Sequence, residues 1–76
     1  MKVAVIGAGS WGTALAQTLA LNGHNVSLWA RKDSVVHGIN HEHVNPRYLS
    51  DAKLSDNIVA TTSYRDALLR AKAAVI

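Results

Sequence analysis

Apolar runs with strand character alternate along this chain with stretches of helical periodicity. Lys2 to Ile6 is a short β-rich apolar run stopped by glycine, the pattern of a fully buried strand. Gly7 to Gly12 follow as a glycine-rich turn. From about Ser10 to Asn22, Ala14, Leu15 and Leu19, with Ala16 and Ala20, recur at helical spacing, and Gly23 stands where a helix C-cap favours a left-handed residue. Asn25 to Ala30 predicts a second strand, with Val26 and Leu28 on one face and Ser27 and Trp29 on the other.

Asp33 is placed to N-cap a short helix through Val35, Val36 and Ile39. His41 to Ser55 has no clean period and predicts a loop, with Asn45-Pro46 favouring extended or turn backbone. Asn57 to Thr61 predicts a third strand. Ser63, three residues before Asp66, caps a helix through Ala67, Leu68 and Leu69, and Ala73 to Ile76 opens a fourth strand. Strand–helix alternation of this kind builds a parallel sheet with right-handed crossovers. The expected class is α/β, a Rossmann-type parallel sheet with flanking helices, truncated in its fourth strand. Residues 1–76 are expected to be the N-terminal part of such a domain, because a complete two-half domain is roughly twice as long.

Composition narrows the reading. The chain is 49% hydrophobic and 17% charged with no phenylalanine, which suits a Val/Ile/Leu/Ala-rich parallel sheet and not a disordered segment. No cysteine means no disulfide framework and no thiolate metal site, in keeping with a cytoplasmic protein. Net charge is +3, yet the eight Lys and Arg are scattered, so no nucleic-acid arm is expected. The apolar stretch after Met1-Lys2 is interrupted by glycines too early for a signal peptide, and no run nears the roughly 18 residues of a membrane span.

Gly7-Ala8-Gly9-Ser10-Trp11-Gly12 matches the dinucleotide-binding fingerprint, and it lies directly after a predicted strand and before a predicted helix. Gly7 permits the tight turn, Gly9 lets backbone approach a pyrophosphate, and Gly12 allows close packing of helix on strand. The new helix then turns its free N–H groups toward the phosphates. NAD-dependent enzymes usually place an acid at the end of the second strand to hold the ribose. Here that position holds Ala30, followed by Arg31 and Lys32, which can pair with a 2′-phosphate. NADP(H) is therefore the expected cofactor ahead of NAD(H), and the missing acid argues against FAD. The bland alternative for Arg31-Lys32 is a solvated strand end. His37 and His41 at i and i+4, with Glu42 and His43 nearby, have a spacing metals can use. Nothing else in the sequence completes such a site, so no metal is expected.

These residues, together with the longer blocks around them, resemble the bacterial-type NAD(P)-dependent glycerol-3-phosphate dehydrogenases. The resemblance rests on Gly7 to Ala16, on Leu28-Trp29-Ala30-Arg31, on Asn40 to Leu49, with Asn45-Pro46-Arg47-Tyr48-Leu49 its most telling stretch, on Leu54 and on Asp56 to Thr62. It departs at Ser50, where the family usually has proline. The resemblance implies that Ser10 and Trp11, with the three glycines, line the pyrophosphate. It also implies that Arg31 and Lys32 surround the 2′-phosphate and that Tyr48 joins the cofactor site, although Tyr48 and Leu49 read equally as a loop anchor. Trp29 reads as packing.

The implied reaction is reversible hydride transfer between NAD(P)H and dihydroxyacetone phosphate, giving sn-glycerol 3-phosphate for phospholipid synthesis. Its catalytic lysines are expected beyond Ile76, so no catalytic residue is assigned here and homo-oligomerisation is left open. Purified alone, this chain is expected to show no dihydroxyacetone-phosphate-dependent NADPH oxidation in a spectrophotometric assay. Two other readings share the same features: a non-catalytic dinucleotide-sensing module, and another NAD(P)-dependent dehydrogenase of related fold.

Overall fold

The computed structural model describes residues 1–48, 51 and 53–76. Leu49 and Ser50, singled out by the resemblance, lie outside the described residues. Four strands form one parallel sheet: β1 (Lys2–Ile6), β2 (Asn25–Trp29), β3 (Ile58–Thr61) and β4 (Ala73–Val75), in the order β3-β2-β1-β4. The register pairs Val3 with Val26 and Ala73, Val5 with Leu28 and Val75, and Val26 with Ile58. Side chains of adjacent parallel strands in register share a face. One face therefore carries Val3, Val5, Val26, Leu28, Ile58 and Ala60, all buried. The chain moves outward from β1 through β2 to β3, then returns past β1 to β4. That reversal is the topological switch point at which open α/β sheets bind ligands.

Helix α1 (Ser10–Leu21), helix α2 (Asp33–His37) and a π-helical turn (Gly38–Glu42) cover this apolar face. Their Ala16, Ala20, Val35 and Ile39 join Val5, Val26, Leu28, Ile58, Ala60 and Leu54 in one core. The buried stripe of α1 is Gly12, Thr13, Ala16 and Ala20, whereas Ala14 is exposed and Leu15 and Leu19 only flank the core. Periodicity alone put Leu15 and Leu19 in the stripe beside Ala16 and Ala20 and did not single out the buried Gly12 and Thr13. The small ones win because they let the helix axis approach the sheet closely. Helix α3 (Tyr64–Leu68) packs on β1 and β2 and covers the other face, which carries the short, buried side chains of Ala4 and Ser27; its own Ala67 is fully buried.

The helix ends show the capping the sequence encodes, with one correction. Gly23, at φ +91°, donates to the Ala20 carbonyl while His24 N–H donates to Leu19, a Schellman ending of α1. Ser63 Oγ accepts from Asp66 N–H at 3.1 Å and caps α3. Asp33 is not the N-cap of α2. Lys32 occupies that position in extended backbone without a side-chain bond, and Asp33 falls in the first turn, where its charge suits the helix dipole. The segment expected to be loop from His41 onward begins instead with the last two residues of the π-helical turn.

Amide side chains tie the loops to the sheet. Asn40 pairs with both backbone groups of Ala60, donating to its carbonyl at 2.9 Å and accepting from its N–H at 2.7 Å. This occupies the outer edge of β3 as a further strand would, and blunts that edge. Asn57 donates to the Ala20 and His24 carbonyls, joining the start of β3 to the end of α1. The other sheet edge is β4, whose Ala73 and Ala74 are exposed.

Candidate functional site

β1 delivers the chain to Gly7 at the C-terminal edge of the sheet. Gly7 adopts φ +120°, a conformation an L-residue rarely takes, and its N–H donates to the Trp29 carbonyl at 3.1 Å. The turn therefore begins while still tied to β2. Gly9 is the N-cap of α1, and a Cβ built on it would meet nothing within 4 Å, so that backbone faces open space. Gly12 is the reverse: a Cβ there would stand 1.9 Å from the Gly7 carbonyl oxygen. Helix and strand touch at backbone, and only glycine permits it.

No side chain caps α1, and no acidic residue lies in its first turn. The Thr13 N–H closes that turn on the Gly9 carbonyl, which leaves the N–H groups of Ser10, Trp11 and Gly12 ahead of it without intrahelical acceptors. Those donors and the positive end of the helix dipole meet the solvent side of the turn.

An open cavity of about 370 Å³ lies beside this turn. Gly7 and Gly9 form one wall, Arg31 and Lys32 at the end of β2 a second, and Arg47 and Tyr48 a third. Ala30 and Val35 complete the apolar floor. Ala30 is only 2% exposed yet lines the cavity, so the position where an acid could hold a ribose carries a buried methyl group. Among the described residues, three cationic side chains and no carboxylate line the cavity. Such a concentration of one sign favours an anionic occupant. Of the residues the sequence singles out, the structure brings Gly7, Gly9, Arg31, Lys32 and Tyr48 together here. Ser10 and the 68%-exposed Trp11 lie on the first turn of α1 outside the walls, and Gly12 is buried beneath the turn.

Trp29 is held by packing. Its ring stacks on Tyr64 at 4.3 Å with an interplanar angle of 9°, and Nε1 donates to the Thr62 carbonyl at 2.9 Å. It also lines the cavity, so its indole can report on what enters there.

The third wall rests on a residue that the sequence reading placed in a turn but gave no part in the site. Asn45 is fully buried, and every hydrogen-bonding position of its amide is used. Nδ2 donates to the Ala8 carbonyl and to Thr13 Oγ1, both at 2.9 Å. Oδ1 accepts the N–H groups of Arg47 at 3.0 Å and Tyr48 at 3.1 Å. One side chain thus holds the glycine turn, helix α1 and the 46–48 loop in fixed relation. Below the loop, Gly38 has room only for hydrogen, because a Cβ there would lie 2.6 Å from Pro46 Cδ. The sequence reading gave Arg47 no part in the site either. Its guanidinium carbon is 6.0 Å from the Tyr48 ring centroid. The signal was present: an Asn whose side chain accepts from the backbone two and three residues on is a standard turn device, and Asn45-Pro46 announces it.

The histidines do not converge on an ion site. His37 and His41 do share a helical face, with ring centroids 4.4 Å apart, and His43 pairs with Asp56 at 3.4 Å. Among the described residues no group of three or more potential ligands can hold a metal. No helix among them is long and apolar enough to cross a membrane.

Comparison with known proteins agrees with this architecture. A family model described as the NAD-dependent glycerol-3-phosphate dehydrogenase N-terminus matches residues 2–76. A glycerol-3-phosphate dehydrogenase [NAD(P)+] of Limosilactobacillus reuteri (strain DSM 20016) is 48% identical over 75 residues, covering 99% of this chain and 22% of the relative. One of the same name from Nitratidesulfovibrio vulgaris (strain DP4) is 52% identical over 68 residues, or 90% of this chain and 21% of the relative. The solved structure of glycerol-3-phosphate dehydrogenase from Coxiella burnetii superposes with a TM-score of 0.87 at 36% identity, covering 96% of this chain and 22% of that one. The chain thus spans about one fifth of the length of the relatives it matches.

Proposed function

This chain belongs to the NAD-dependent glycerol-3-phosphate dehydrogenase N-terminal family, and from that premise we propose that it is the NAD(P)H-holding part of such an oxidoreductase. The observation that carries the proposal is the cavity where the glycine turn, the end of β2 and the 46–48 loop meet, lined among the described residues by three cations and no acid. Gly7, Gly9 and Gly12 let the main chain approach the pyrophosphate, with the N–H groups of Ser10 and Trp11 as donors. Arg31 and Lys32 take the adenosine 2′-phosphate, and Tyr48 packs beside it. A buried Ala30 in place of an acid removes the ribose acceptor typical of NAD sites and the repulsion it would exert on a phosphate. The preferred cofactor is therefore NADP(H), with NAD(H) accepted more weakly.

The bound nicotinamide dinucleotide supplies hydride exchange, and the protein's part is to position it and set the surrounding field. The substrate pair is dihydroxyacetone phosphate and sn-glycerol 3-phosphate, the latter feeding phospholipid synthesis in the cytoplasm. The substrate domain and the acid that protonates the alkoxide lie outside residues 1–76. Relatives named as dehydrogenases favour this reading over a non-catalytic sensor.

The test is a titration of the full-length protein carrying this chain with NADPH and NADH, followed by tryptophan fluorescence. NADPH should bind the more tightly. Arg31→Glu should weaken NADPH by roughly 10- to 100-fold, the size of a charge-assisted hydrogen-bonded contact, and leave NADH much less affected. Equal affinity for the two cofactors, or tighter NADH binding in the parent protein, would refute the preference.

A further inference from the structure

Arg31 and Lys32 are not the only cations at the cavity. Arg47 also lines it, on a different segment of chain and from a different wall. Among the described residues Arg47 has no carboxylate partner, since the one ion pair joins His43 and Asp56. Its main chain, however, is fixed: the Arg47 N–H is held by the buried Asn45 Oδ1 at 3.0 Å. The neighbouring Tyr48 N–H is held by the same oxygen at 3.1 Å. Through Nδ2, Asn45 is anchored in turn to Ala8 within the glycine turn. Arg47 thus has a pinned backbone and an exposed head group that lies over the Tyr48 ring at 6.0 Å without a carboxylate, on a loop tied directly to the turn that faces the pyrophosphate.

Three like charges around one cavity repel one another until an anion enters. The glycine turn and the free N–H groups of α1 already answer a pyrophosphate without side-chain charge. The cations are surplus to that need, and a phosphate monoester, carrying about −1.5 to −2 charges and three acceptor oxygens, matches them. Resting on the dinucleotide reading above, we propose that Arg47 is a specificity-determining residue that grips the 2′-phosphate of NADP(H) jointly with Arg31 and Lys32. Its planar fork can meet two phosphate oxygens at once, which a lysine cannot do. Anchoring through Asn45 keeps the fork within reach before the ligand arrives, so less freedom is lost on binding.

The test compares Arg47→Ala and Arg47→Lys with the parent full-length protein, titrated with NADPH, NADH and adenosine 2′-monophosphate. Arg47 is exposed and its backbone bond survives truncation, so both variants should fold as the parent does. Arg47→Ala should weaken NADPH and adenosine 2′-monophosphate by about tenfold or more and shift NADH by less than about twofold, while Arg47→Lys retains part of the affinity. The NADPH affinity of the alanine variant should also fall less steeply with added salt, because one charge has left the contact. Equal losses for NADPH and NADH, or no loss for either, would overturn the inference while leaving the dinucleotide site intact. Failure of the parent protein to bind either dinucleotide would instead bring down the functional reading itself.

Discussion

Gly12→Ala is expected to destabilise the fold and abolish dinucleotide binding, although glycine-to-alanine changes inside helices usually help. At an ordinary helical position the change gains about 0.5–1 kcal/mol, because alanine loses less freedom on folding. Here the added Cβ would lie 1.9 Å from the Gly7 carbonyl oxygen and 3.1 Å from its carbon. Both are backbone atoms, so no side chain can swing aside. Relief requires α1 to lift from β1 or Gly7 to move, and Gly7 is tied to Trp29 through its N–H at φ +120°. Overpacking of a rigid contact costs typically 1–3 kcal/mol and occasionally more, and the upper end applies when backbone must yield. In a complete domain of roughly 150 residues or more each kcal/mol lowers the melting temperature by about 2–4 °C, so a drop on the order of 5–10 °C is expected in the full-length protein. Gly9→Ala is the control. Its Cβ meets nothing within 4 Å and its φ is −75°, so that variant should melt like the parent while its methyl group obstructs the pyrophosphate. Thermal melts followed by circular dichroism, with NADPH titrations alongside, separate the two. A Gly12→Ala variant that melts like the parent would show that the contact between helix and turn is not a constraint.

The legible parts of this chain are those governed by local rules. Strand runs, the glycine turn, the Gly23 ending and the Ser63 cap each depend on residues within one turn or one strand, and each is where the sequence puts it. The less legible parts depend on what packs against them. Helix α1 buries Ala16 and Ala20 and leaves Ala14 exposed, because the sheet below selects the face that lets backbones approach. His41 to Ser55 shows no clean period: its first two residues close a π-helical turn, whose spacing differs from that of an α-helix, and 43–48 form bends held by side-chain bonds. Arg31 and Lys32 could be picked out from their place at a strand end. Arg47 could not, since it reaches the cavity only because a loop more than thirty residues after the glycine turn folds back onto it. The residue that folds it back, Asn45, is legible in the sequence as a turn former, but its donors to Ala8 and Thr13 depend on partners more than thirty residues away.

That burial makes Asn45 the other sensitive position. Asn45→Ala would leave the Ala8 carbonyl, Thr13 Oγ1 and the N–H groups of Arg47 and Tyr48 without their partner. Each polar group left unsatisfied in the interior costs about 1–3 kcal/mol, and water can reach the groups nearest the exposed Arg47. The net loss should be about 2–4 kcal/mol. Asn45→Asp keeps the shape and the acceptor for the two N–H groups, yet it should be the more damaging near neutral pH. Its second oxygen would face the Ala8 carbonyl where an N–H₂ now donates, and a charge would stand in a site with no solvent access. Burial and the facing carbonyl both favour the protonated acid, so the folded state would hold a proton that the unfolded chain releases more readily. Stability of this variant should therefore fall as pH rises through the carboxyl's raised titration range, and recover as pH is lowered. The alanine variant carries no such group and should show a deficit that does not follow pH in this way. Melting temperatures of both variants between acid and neutral pH provide the measurement. An aspartate variant as stable as the parent at neutral pH would mean that the amide's donors are not needed. Its loop, with Arg47 and Tyr48, would then be held at the cavity by other contacts, among them Pro46 against Gly38 and the Val44 N–H donating to the Gly38 carbonyl at 3.2 Å.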